Sequence, residues 1–143
     1  MRRQSEAERW IEESRRDTII SGAAKVGGSL ANSKYPAEFI YDNLAIEINL
    51  LEAARRYDVG KVMLLGSSCI YPRLAEQPIK EDALLTGPLE PTNEWYAVSK
   101  IYGITMRQAY RRQYDWDFIS AMPPNLFGPK DNFDFENRHP SPA

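Results

Sequence analysis

Apolar and polar positions along this chain follow two rhythms, one near 3.6 residues and one of short unbroken runs. From about Ser5 to Arg16 most residues are charged, with Trp10 and Ile11 as apolar anchors, which suits a surface helix. Asp17–Ser21 (DTIIS) is a brief β-branched run that predicts a strand. It leads into GAAKVGG, where Gly22, Gly27 and Gly28 permit close backbone approach. Pro36 opens a long helical pattern to about Tyr57, with Phe39, Leu44, Ile48, Leu51 and Ala54 on one predicted buried face, and Gly60 ends it. Lys61–Leu65 (KVMLL) reads as a compact buried strand, and GSSCIYP follows directly. Residues 72–92 carry Pro72, Pro78, Pro88 and Pro91 and predict a long loop, a feature that in a compact domain is usually functional. The helical rhythm returns from roughly Asn93 to Tyr114, Trp116–Ala121 (WDFISA) predicts a third strand, and PPNLFGPKDNF forms the loop after it.

Strand, helix, strand, helix, strand at this spacing implies right-handed crossovers and a parallel sheet, hence the α/β class. Ligands of open parallel sheets sit beyond the carboxyl ends of the strands. Here those ends carry AAKVGG, GSSCIYP and PPNLFGP, so three loops are expected to converge on one edge.

Composition narrows the function classes. The 143 residues amount to one domain on the usual length prior. Lys plus Arg number 18 and Asp plus Glu 20, a net charge of −2 that argues against nucleic-acid binding by bulk charge. Hydrophobic residues at 43% and aromatic residues at 11% supply a core and argue against disorder. No apolar run approaches the ~18 residues of a membrane span, and MRRQSEAERW has no apolar stretch behind its arginines, so no membrane anchoring or secretory signal is expected. A single cysteine fits a reducing, cytoplasmic setting.

Candidate chemistry centres on Tyr96-Ala-Val-Ser-Lys100, which places a phenol and an ammonium on one face of a helix. The spacing alone is weak, since a second copy, Tyr57-Asp-Val-Gly-Lys61, exists. That copy runs through Gly60 into a strand and serves as a decoy. An unperturbed tyrosine titrates near ~10, and a neighbouring ammonium is expected to lower that value and bring proton transfer within reach. The serines of GSSC, Ser67 and Ser68, are candidates to hold a carbonyl oxygen while hydride reaches its carbon. Taken singly, each residue has a plainer reading: Cys69 as a small buried hydrophobe, His139 as solvated surface, Tyr96 and Lys100 as a snorkelling pair.

Together these residues carry a resemblance. AAKVGG, YPAEFIYDNL, GSSCIYP, LEPTNEWYAVSK, NLFGP and the DNF…NRH segment are similar to the GDP-L-fucose synthase family of extended short-chain dehydrogenases/reductases, from about Asp17 to His139. The resemblance implies a Rossmann-like parallel sheet and an NADPH-dependent enzyme. Such an enzyme epimerises C3 and C5 of GDP-4-keto-6-deoxy-D-mannose and then reduces its C4 ketone. By position, Ser67, Tyr96 and Lys100 match the reductase triad: Ser67 to orient the carbonyl, Tyr96 to donate the proton, Lys100 to tune it and bind the nicotinamide ribose. Cys69 and His139 match the acid–base pair of epimerisation, whose thiol (near ~8.5) and imidazole (near ~6.5) exchange protons around neutrality. Leu65, Gly66, Ser67, Ser68 and Lys100, then Pro123, Pro124, Asn125 and Leu126, and His139 match segments that line the cofactor, with Pro124 where the family usually has threonine. No metal is implied. A homodimer through the helices at about 36–57 and 93–114 is implied.

No GxGxxG or GxxGxxG occurs in the sequence. Against the family pattern, residues 1–143 are therefore expected to be a partial NADP-binding Rossmann-like domain. It would lack the N-terminal βαβ phosphate-binding half and the C-terminal substrate domain, and would bind NADPH poorly. The strand at Asp17–Ser21 is then expected at an open sheet edge. Two other readings stay open at this point: another nucleotide-sugar 4-epimerase or 4,6-dehydratase of the superfamily, and a non-catalytic remnant that acts at most as an oligomerisation module.

Overall fold

A computed structural model describes residues 1–27 and 29–123. Its elements run α1 (Gln4–Ser14), β1 (Thr18–Ser21), α2 (Ser29–Lys34), α3 (Pro36–Arg56), β2 (Lys61–Leu65), 3₁₀ turns at Ser68–Ile70 and Glu81–Ala83, α4 (Glu94–Tyr114) and β3 (Asp117–Ala121). The three strands form one parallel sheet in the order β1-β2-β3. The register aligns Ile19 with Val62 and Val62 with Phe118.

Local chemistry explains most boundaries. Pro36 occupies the first turn of α3, where a missing N–H costs nothing, with Glu38 beside it and Arg55 and Arg56 in the last turn, matching the helix dipole. Neither α1 nor α4 ends on glycine. Arg15 (φ 45°) and Asp115 (φ 55°) take the left-handed conformation instead, and their N–H groups donate to Ile11 O and Arg111 O, each at 2.9 Å. The short α2 falls where the sequence pattern predicts only loop; six residues are too few to show a helical period.

One face of the sheet is covered. Ile19, Val62 and Phe118 form a buried row that meets Ala7 and Ile11 of α1 and Leu50, Leu51, Ala53 and Ala54 of α3. A smaller cluster at the carboxyl ends of the strands joins Leu64 and Ile70 to Ile101 and Ile104 of α4. KVMLL, expected to be buried throughout, instead alternates: Val62 and Leu64 point into the core while Lys61, Met63 and Leu65 are half-buried. On the same outer face Ile20 is 65% exposed.

The buried face of α3 also departs from the expected one. Phe39, Leu51 and Ala54 are buried, but Leu44 is half-buried and Ile48 exposed. Their place on the inner stripe is taken by Asn43 and Glu47, each 1% exposed. Asn43 clamps the loop after β1: its Oδ1 accepts the Lys25 N–H (2.7 Å), and its Nδ2 donates to Lys25 O (3.1 Å) and Phe39 O (2.8 Å). Thus the loop after β1 is anchored to α3 by one amide side chain.

At the amino ends of the strands, Tyr110, Tyr114, Trp116 and Phe118 form a chain of ring contacts with centroids 5.3–6.3 Å apart. Glu52 ties this cluster to α3, accepting from the Tyr110 hydroxyl (2.7 Å), Arg55 (2.7 and 3.0 Å) and Arg56 (2.9 Å).

Candidate active site

The carboxyl end of β2 is where the chemistry gathers. Gly66 follows the strand, and its N–H donates to Ala121 O at 2.9 Å, so the exits of β2 and β3 run side by side. A Cβ at Gly66 would meet the end of the Met122 side chain, which would have to shift to admit it. Ser67 is extended (φ −152°, ψ 146°), and the chain then closes into the Ser68–Ile70 turn, in which the Ile70 N–H donates to Ser67 O (3.2 Å). The turn packs against α4. This brings Ser67 and Cys69 to the helix that carries Tyr96 and Lys100.

The Lys100 Nζ lies 6.0 Å from the Tyr96 ring centroid. Lys100 itself is only 2% exposed, and Nζ donates to Glu47 Oε1 at 2.9 Å across the α3–α4 interface. Burial pushes the Cys69 thiol up, while a hydrogen bond from Ser67 and the Lys100 charge pull it down. Burial is also the main influence on Tyr96, which with Cys69 and Glu47 nearby is pushed up to about 12. This reverses the expectation of a phenol lowered by its lysine. The ammonium is shared with a carboxylate, and the ring is largely desolvated. Tyr96 is protonated at neutrality, as an unperturbed phenol is, and is a weaker acid than the sequence suggests.

The predicted site residues divide as follows. Ser67, Cys69, Tyr96 and Lys100 come together at one strand end, with Leu65 and Gly66 leading into it. Ser68 is exposed at the start of the turn, and Pro123 is half-buried two residues after β3. Pro124, Asn125, Leu126 and His139 lie outside the described residues, as does Gly28. The decoy pair separates: Tyr57 is 41% exposed, and Lys61, at the amino end of β2, pairs with Asp117 (2.9 Å).

Sequence reasoning missed Glu47, Gly103 and Arg107. A Cβ on Gly103 would lie 2.9 Å from Leu64 Cδ2 and 3.1 Å from Glu47 Oε2, so this glycine lets α4 settle onto β2 and admits the carboxylate. Arg107, 4% exposed and lowered to about 10 chiefly by burial, shares that interior. The available clue was a glycine inside a helical pattern, which costs about 1 kcal/mol against alanine and asks for a packing reason. Among the described residues no His/Cys/Asp/Glu group could hold a metal, and no helix is long and apolar enough to cross a membrane.

Comparison with known proteins gives this arrangement a class. The chain matches the NAD dependent epimerase/dehydratase family over residues 1–143 and belongs to it. It is 57% identical over 141 residues to a GDP-L-fucose synthase of Sinorhizobium fredii, covering 99% of this chain and 45% of that protein. It is 56% identical over 127 residues to the GDP-L-fucose synthase of Escherichia coli K12, covering 89% of this chain and 40% of the relative. Among solved structures, a GDP-L-fucose synthetase from Naegleria fowleri bound to NADP superposes with a TM-score of 0.84 at 31% identity, over 96% of this chain and 46% of that one. The fold is thus Rossmann-like, and the chain spans less than half the length of the relatives it matches.

Proposed function

We propose that this chain carries the catalytic strand end of a GDP-L-fucose synthase. The reaction would be 3,5-epimerisation of GDP-4-keto-6-deoxy-D-mannose followed by NADPH-dependent reduction at C4. The observation that carries the reading is the meeting of Ser67, Cys69, Tyr96 and Lys100 at the carboxyl end of β2. It is supported by 55–57% identity to several proteins of that name.

The donor set fits the nicotinamide end of a dinucleotide: hydroxyls at Ser67 and Ser68, a phenol at Tyr96 and an ammonium at Lys100, beside the backbone of Leu65 and Gly66. Pro123, Pro124, Asn125, Leu126 and His139 complete that lining in the proposal. NADPH supplies the hydride when bound. Tyr96, protonated at neutrality, gives its phenolic proton to the C4 oxygen, and Ser67 donates a hydrogen bond that orients the same oxygen. Lys100 restrains Tyr96 and would hold the ribose when the cofactor is bound.

Epimerisation needs a proton removed from carbon beside the ketone and another returned on the opposite face. Cys69 and His139 are the proposed pair. The Ser67 hydrogen bond and the Lys100 charge are what bring a half-buried thiol toward that task. Residues 1–143 form part of the dinucleotide-binding domain in this reading. The proposal includes a cytoplasmic setting and a homodimer through α3 and α4. Those helices turn Tyr41 (68% exposed), Trp95 (42%), Tyr102 (39%) and Ile48 (37%) outward, an apolar surface suited to a second copy.

The test is NADPH oxidation by the purified chain with GDP-4-keto-6-deoxy-D-mannose, beside Tyr96→Phe. Turnover that falls by at least ~100-fold in the variant is expected, the scale of a lost general acid. Equal turnover in Tyr96→Phe refutes the role of the phenol, and no turnover from the folded chain refutes activity by these 143 residues alone.

A further inference from the structure

We propose that Glu47 is the positioning residue for Lys100: its buried carboxylate, admitted beneath α4 by Gly103, keeps the ammonium charged and seated beside Tyr96 and Cys69. The functional meaning rests on the reading of Tyr96 and Lys100 given above, but the seating itself is tested without cofactor or substrate.

Three observations carry it. First, the ion pair is enclosed: Lys100 is 2% exposed and Glu47 1%, with Nζ to Oε1 at 2.9 Å. An ammonium so placed is stable only with a matched partner. Without one it either loses its proton or swings to solvent. Second, that hydrogen bond to Glu47 is the one Lys100 makes among the described residues. The other groups around the pair offer no replacement anion: Arg107 of α4 is a cation, and burial pushes Tyr96 and Cys69 toward their neutral forms. The same burial effect on Glu47 is opposed by its hydrogen bond from Lys100 and by the Lys100 and Arg107 charges. Third, the pair is built for. Gly103 sits one turn beyond Lys100 on α4, and a Cβ there would come within 3.1 Å of Glu47 Oε2 and 3.2 Å of its Cδ. A glycine weakens a helix, and here it leaves the room that the carboxylate takes.

Glu47 thus acts through Lys100 rather than on a substrate. With its partner in place, Lys100 remains a cation inside the protein, and its field favours the Cys69 thiolate and fixes the ammonium under the Tyr96 ring. Removing the carboxylate should mimic removing the lysine.

Cys69 is the only cysteine in the chain, so its alkylation by iodoacetamide reports the local field directly. The pH profile of that rate is measured for the wild type, Glu47→Gln, Lys100→Met, the double variant and Glu47→Asp. Lys100→Met is expected to slow alkylation at pH 7 roughly two- to tenfold, as loss of a unit charge several ångströms away would do. Glu47→Gln is expected to slow it by a similar factor. The double variant should be no slower than either single, and Glu47→Asp should restore part of the rate. A Glu47→Gln profile equal to wild type while Lys100→Met is slowed overturns the proposal, as does a faster Glu47→Gln. No effect of Lys100→Met overturns it too. If Glu47→Gln fails to fold, the double variant, which leaves no unmatched lysine, should have the higher urea midpoint, and a lower one refutes the seating. An inactive but folded chain leaves these rates unaffected, and unchanged rates leave the proposed activity standing.

Discussion

Replacing Gly103 by alanine sets two effects of known size against each other. Helix propensity alone favours the substitution by about 1 kcal/mol, since an interior glycine is among the least favourable helix residues. Packing opposes it. The added Cβ would lie 2.9 Å from Leu64 Cδ2, 3.1 Å from Glu47 Oε2 and 3.2 Å from Glu47 Cδ. Both neighbours are 1% exposed, so neither side chain can move into solvent. Leu64 is backed by the strand, and Glu47 is held by Lys100. Forcing a methyl group into such a site costs about 1–3 kcal/mol, plus whatever is lost as the ion pair lengthens. The expected net is a destabilisation of about 1–2 kcal/mol, or a fall of roughly 3–6 °C in Tm for a chain of this size. Urea titration at pH 7, followed by far-ultraviolet circular dichroism, measures it. A more stable Gly103→Ala protein, gaining the propensity and losing nothing, would refute the close approach of α4 to β2.

Two further outcomes follow from polar contacts. Glu52 is lowered from an ordinary 4.5 to about 2, first by Arg55, with Tyr110 and Arg56 also donating to it. A carboxyl depressed in the folded state stabilises the protein above its unfolded value, and that contribution is lost as pH falls from about 4.5 toward 2. With the side chain 21% exposed, solvent screening reduces it to about 1–2 kcal/mol. Stability against urea between pH 6 and pH 3 should therefore drop less in Glu52→Gln than in wild type; equal slopes would count against the network. Asn43→Ala leaves the Lys25 N–H and C=O without their side-chain partner, an expected cost of about 2–3 kcal/mol. Amide hydrogen exchange at Lys25 should quicken markedly, and an unchanged rate would show that α3 does not hold that loop.

The frame of the fold was readable because each element had a local cause. KVMLL is bounded by Gly60 and Gly66 and becomes β2 with the predicted limits, and Pro36 marks the start of α3. What could not be read locally is the inner stripe of α3. A hydrophobicity pattern favours Leu44 and Ile48 over Asn43 and Glu47, yet the polar pair lies inside. Each has its partner far along the chain: Asn43 bonds a loop 18 residues earlier, and Glu47 meets Lys100 53 residues later. Buried polar groups are tolerated for what they bond, and that partner is invisible to a window of one helix. The same gap explains Tyr96. Its spacing to Lys100 is evident in the sequence, but the burial that chiefly raises the phenol, and the Cys69 and Glu47 beside it, are not.

Among the described residues the two clusters of apolar side chains are unequal, ten buried residues toward the amino ends of the strands against four at the carboxyl ends. The larger cluster lies at one pole of the sheet, with the stacked rings around Phe118, and the candidate site lies at the other. Such a division has an evolutionary consequence. Positions at the candidate site that take no part in the Asn43 and Glu47 contacts should change at less cost to folding than positions in the larger cluster. The ring-packed pole, in contrast, should tolerate change poorly.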